Sequence, residues 1–132
     1  MIASEKKEKK RIIAENKGAI AFTPYVSRTP FEIRVFPKKH LAFFEDSPDS
    51  VLKDVTDVMQ KALKKLNVAL KPHYNFFIHS SPLKDKQQHS HYHWHIEILP
   101  KFGHYAGFEL ETGITINVVD PDKAAEIINK SK

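Results

Sequence analysis

The chain has 132 residues, 41% of them hydrophobic, and a mean hydropathy of −0.44. A chain of this size buries roughly two thirds of its unfolded surface in one domain, and no run approaches the roughly 20 apolar residues that a membrane span needs. The formal charge is +5, but five of the 21 Lys and Arg lie in the first eleven positions, which reads as a Lys-rich solvated surface with some attraction for nucleotides and sugar phosphates, not as a nucleic-acid groove.

Residues 1–10 form a charged lead-in without the apolar region or small-residue cleavage site of a secretory signal, which points to a cytoplasmic address. A single domain follows from residue 11 to residue 132. A short strand is expected near Arg11 to Glu15, and a second in GAIAFTP, stopped by Pro24. In PFEIRVFPKKH, strict alternation sets Phe31, Ile33 and Val35 against Glu32 and Arg34, the period of a half-buried strand, and Pro37 ends it. Ser47 offers an N-cap and Pro48 suits the first helical position. Val51, Leu52, Val55, Val58, Met59, Ala62, Leu63 and Leu66 then recur at helical spacing.

Tyr74 to His79 reads as a strand, DKQQHS as a polar loop and HYHWHIEIL as another strand. FELETGITINVV is extended, and Asp120 caps a short last helix opened by Pro121. Strands gathered around one long helix, without regular alternation of strand and helix, make an antiparallel α+β domain.

The chemistry concentrates in SHYHWHIEILPK, residues 90–101, where His91, His93, His95 and Glu97 occupy every second position. On a strand such residues share one face at steps of about 6.6 to 7 Å, leaving Tyr92, Trp94, Ile96 and Ile98 for the other face, under the helix. Such a row has two uses. Neutral imidazoles with a carboxylate can bind Zn or Fe, or one imidazole can attack phosphorus while its neighbours fix its tautomer and donate to phosphate oxygens. With no Cys in the chain, thiolate sites, disulfides and cysteine nucleophiles are excluded. His91 also fits a solvated strand start, His40 a packing or capping role, and His73, His89 and His104 loop positions.

HWHIEILPK resembles the motif of the histidine-triad (HIT) superfamily, and EIRVFPKKH resembles that superfamily's strand ending in Pro-Lys-Lys-His. RIIAENKGAIAFTPYVSRTPFEIRVFPKKH, NFFIHSSP and HWHIEILPKFGHYAGFELETG together resemble, in order, the C-terminal half of the galactose-1-phosphate uridylyltransferases and their sugar-nucleotide phosphorylase relatives, from about Arg11 to Asn129. The resemblance implies a HIT-like half-barrel: an antiparallel sheet of about five strands, one long helix and a short C-terminal helix. It implies pairing as a homodimer or with a complementary HIT-like half, and a sugar nucleotide or hexose-1-phosphate as ligand. The composition and the lack of an RNA-binding motif or long apolar run lead to the expectation of no nucleic-acid or membrane partner. The family's His-Pro-His-Gly-Gln motif, which carries the nucleophile in the N-terminal half, does not occur in this sequence.

On this resemblance His95 matches the nucleophilic histidine and His93 the one before it, making these two the catalytic candidates. Glu97 stands where hydrolases have His and transferases Gln. A carboxylate there repels a substrate phosphate and better suits a metal ligand or hydrogen-bond acceptor. The histidines matching His79, His93 and His95 bind a structural iron or zinc in some uridylyltransferases, with Glu97, a water or a partner chain as candidates to complete the set. Gly107, Phe108 and Glu109 match the segment that reaches the hexose, Glu109 accepting from hydroxyls and Phe108 facing the ring, and Arg28 is a candidate for a phosphate. Two functions follow from the family: a hexose-1-phosphate nucleotidyltransferase acting through a nucleotidyl-histidine on His95, or a metal-binding half that completes a partner's active site. A HIT-type nucleotide hydrolase is the third.

Overall fold

The computed structural model describes residues 2–27, 29–71, 73–81, 92–101 and 119–130. Helix α1 (Ile2–Glu8) leads into strands β1 (Ile12–Glu15), β2 (Ala19–Phe22) and β3 (Ile33–Pro37). A 3₁₀ turn at Phe44–Asp46 precedes helix α2 (Asp49–Leu70), followed by β4 (His73–His79), β5 (His95–Lys101) and helix α3 (Pro121–Asn129). All pairings are antiparallel, in the order β1-β2-β3-β5-β4. This is the HIT-like α+β architecture expected from the sequence. No helix among the described residues is long and apolar enough to cross a membrane.

Helix α2 forms because its apolar residues recur on one stripe, and that stripe lies across β1, β2 and β3. Val55, Val58, Ala62 and Leu66 are buried there against Ile33, Val35, Trp94, Ile96 and Ile98, with Val51, Leu52, Met59 and Leu63 packed at the margin. The helix ends at Lys71, which takes the left-handed conformation (φ 48°) and donates its amide to the Asn67 carbonyl at 3.0 Å. Asp120 caps α3 as expected, its carboxylate accepting the Asp122 amide at 2.8 Å. The opposite face of the sheet carries a smaller cluster, Ile20, Phe22 and Phe36, with Ile2 and Ile12 against it.

Four sequence expectations change. The charged lead-in contains a helix, anchored on that smaller cluster through Ile2. Ser47 is not the cap of α2: Pro48 holds the N-cap position without a side-chain bond, and the Ser47 hydroxyl accepts from the Trp94 indole instead. Phe31 and Glu32 precede β3, Phe31 in a turn at φ 62°, and Glu32 is 0% exposed although the alternation turns it away from the helix-side core. The last motif strand begins at His95, so Tyr92, His93 and Trp94 approach it as irregular backbone. The expected polar loop and the extended stretch after the motif lie outside the described residues, apart from Val119.

Candidate functional site

Strand β5 places His95 and Glu97 on the face opposite α2, while Trp94, Ile96 and Ile98 enter the main core. The predicted alternation therefore survives. Glu97 does not face water, being 4% exposed, while His93 and His95 are partly buried. Register explains the burial: Glu97 pairs with Arg34 of β3 on one side and with Phe77 of β4 on the other, while His95 pairs with His79.

The Glu97 carboxylate divides its oxygens between two imidazoles. Oε1 lies 3.2 Å from His95 Nε2 and Oε2 lies 3.1 Å from His79 Nε2. The two rings stand nearly parallel with centroids 5.1 Å apart, brought side by side because the two residues are directly opposed on neighbouring strands. Phe36 underlies His95 with a centroid distance of 4.7 Å. The His95 contact is a hydrogen bond, and since a carboxylate only accepts, it requires the proton on His95 Nε2. The His79 contact is a charge–dipole approach without hydrogen-bond geometry. His95 Nδ1 also faces an acceptor, the His93 carbonyl at 3.3 Å. Burial nevertheless pushes the His95 pKa below its ordinary value, with the His93 carbonyl and Glu97 opposing that shift.

His93 is engaged elsewhere. Its Nε2 lies 2.7 Å from the Pro37 carbonyl and must donate to it, while its ring stands 5.1 Å from that of His40. Burial lowers the His93 pKa, with the Pro37 carbonyl opposing and the charges of His40 and His95 lowering it further. The structure thus joins His79, His95 and Glu97 and holds His93 beside them on the Pro37 carbonyl. Imidazole and carboxylate are donors that suit zinc or iron, but each Nε2 now faces its own Glu97 oxygen. Among the described residues no three His, Asp or Glu side chains are arranged to hold a metal ion. Arg28, His91, Gly107, Phe108 and Glu109 lie outside the described residues.

Sequence reasoning did not find Arg34 or Glu32. Arg34 Nε lies 3.4 Å from Glu97 Oε1 and 3.4 Å from Glu32 Oε2, with both carboxylates buried. The one available signal was an acidic and a basic residue at i and i+2 leading into an apolar strand, and only strand pairing shows that they meet Glu97.

A family model described as the HIT domain matches residues 5–104. The chain is 34% identical over 128 residues to ADP-glucose phosphorylase of Arabidopsis thaliana, covering 96% of this chain and 36% of that protein. It is 30% identical over 96 residues to galactose-1-phosphate uridylyltransferase of Saccharomyces cerevisiae, covering 69% of this chain and 26% of that one. Among solved structures, an Arabidopsis thaliana ADP-glucose phosphorylase with bound ADP-glucose superposes with a TM-score of 0.84 at 32% identity, over 96% of this chain and 42% of that one. The chain thus spans less than half the length of each of these relatives.

Proposed function

Because the chain belongs to the HIT-domain family, we propose that it is a sugar-nucleotide-binding domain of the hexose-1-phosphate nucleotidyltransferase type. The observation that carries this reading is the 34% identity over 96% of the chain to a phosphorylase of ADP-glucose. The sheet face supports it, since an imidazole over an aromatic floor, with its tautomer set by a carboxylate, is an arrangement suited to attack on phosphorus. In the transfer, a nitrogen of His95 bonds to the phosphorus attached to the nucleoside as the bond from that phosphorus to the sugar-phosphate oxygen breaks. Hexose-1-phosphate leaves, and an incoming phosphate oxygen takes the nucleotidyl group from the histidine. His93, fixed on the Pro37 carbonyl, holds the backbone that positions His95. Gly107, Phe108 and Glu109 are the candidates for the hexose, and Arg28 for a phosphate.

The test is intact-mass spectrometry of the chain after incubation with ADP-glucose or UDP-glucose, beside His95→Ala. A nucleotidyl-sized adduct lost in the variant supports the reading, and sugar-nucleotide binding without an adduct assigns the chemistry to another chain or segment. Failure to bind either compound overturns it.

One observation favours a second reading. Both Nε2 atoms and Glu97 converge, and this donor set is right in type for zinc or iron. In that role the domain is a metal-holding half that completes the site of a second copy or a complementary HIT-like half. His93 joins such a set by leaving the Pro37 carbonyl. Metal analysis of the purified chain beside His79→Ala checks it: about one ion per chain, lost in the variant, supports this reading.

A further inference from the structure

Glu97 reaches its two imidazoles from a buried position, and what holds it there lies on the neighbouring strand. Arg34 is its cross-strand partner, and the guanidinium Nε stands 3.4 Å from Glu97 Oε1 and 3.4 Å from Glu32 Oε2. A carboxylate removed from water is costly unless it is paired, and here two are removed, Glu32 at 0% and Glu97 at 4% exposure. Packing alone would favour apolar residues at these positions. The same strand supplies them at Ile33, Val35 and Phe36.

We propose that Arg34, itself held by Glu32, is the positioning residue of the site: it fixes the Glu97 carboxylate so that Oε1 faces His95 and Oε2 faces His79. This rests on the reading of His79 and His95 as the working imidazoles. The consequence is chemical. The Glu97 carboxylate accepts from His95 Nε2 and places the proton there, so the orientation of Glu97 decides which nitrogen of His95 keeps a lone pair, while its other oxygen lies 3.1 Å from His79 Nε2. Arg34 also balances the Glu97 charge, which reduces its repulsion of a substrate phosphate.

The experiment is a long-range ¹H–¹⁵N correlation of the histidine side chains in the full chain, comparing wild type with Arg34→Met and Arg34→Lys. Thermal unfolding and titration with ADP-glucose are run on the same samples. The expected result is an Nε2-protonated pattern for His95, lost in Arg34→Met and retained in Arg34→Lys, where a positive charge still faces Glu97. A folded Arg34→Met chain with wild-type imidazole signals overturns the proposal. Should Arg34→Met not fold, the double variant Glu32→Gln/Arg34→Gln, which strands no charge between these two positions, takes its place with the same two outcomes. Arg34-dependent imidazole signals without ADP-glucose binding uphold the positioning role while the functional reading fails. Binding with Arg34-independent signals does the reverse.

Discussion

Trp94 donates its indole Nε1–H to the Ser47 hydroxyl at 2.8 Å. The bond ties the residue between the two motif histidines to the segment that starts α2, and Phe44 closes on the indole edge-on with centroids 5.0 Å apart. Ser47→Ala leaves a fully buried donor unsatisfied, at a cost of about 1–3 kcal/mol. Urea unfolding followed by the fluorescence of Trp94, the one tryptophan in the chain, is expected to show a lower midpoint for Ser47→Ala. Ser47→Thr, which keeps the hydroxyl, is expected to stay closer to wild type.

Acid destabilises this protein through two partly buried imidazoles. His93 and His95 have pKa values held below ordinary imidazole by burial, whereas unfolded imidazoles titrate at about 6.5. The unfolded chain therefore takes up these protons first as the pH falls, and stability is lost from about pH 6.5 downwards, towards the depressed folded values. The unfolding midpoint is expected to be lower at pH 5.5 than at pH 7.5, with a shallower dependence in His95→Asn. A midpoint that rose on acidification would contradict this sign.

Gly18 leaves room for the Asp54 side chain of α2. A Cβ there would run into the Asp54 carboxylate, with the Asp54 Cγ at 2.9 Å. Gly18→Ala is expected to cost about 1–3 kcal/mol by overpacking. Asp54→Ala should recover part of that loss, so the double variant in a denaturation cycle should be more stable than the sum of the single changes.

Two carbonyls of β1 are capped by side chains from the helices. Lys65 Nζ donates to the Ile13 carbonyl at 2.7 Å and Asn129 Nδ2 to the Ile12 carbonyl at 2.9 Å, linking α2 and α3 to the sheet. Lys65→Met keeps most of the stem and removes the donor, and is expected to cost about 0.5–1.5 kcal/mol. Faster amide exchange along β1 in that variant would locate the effect, and an unchanged denaturation midpoint would argue against it.

The elements legible in the sequence are those whose signals are local. The stripe from Val51 to Leu66 produced α2, and Asp120 before Pro121 produced the cap of α3. The alternation around Trp94 correctly divided the motif into a core side and a site side. Ser47 misled because a hydroxyl before a helix reads as a cap, and its bond to Trp94 joins residues far apart in the chain. The same cause hid Glu32, whose burial follows from packing around Arg34 and not from its place in an alternating run.

By itself, then, the sequence determined the periodicities, the order of the elements and the motif that marks the family, since each depends on residues within a few positions of one another. Tertiary structure alone decided that Glu97 meets Arg34, that His79 stands against His95, and that His93 turns to Pro37. The first two outcomes depend on strand register, and the third on the path of the chain into β5; both bring charges and ring nitrogens that are distant in sequence close together in space.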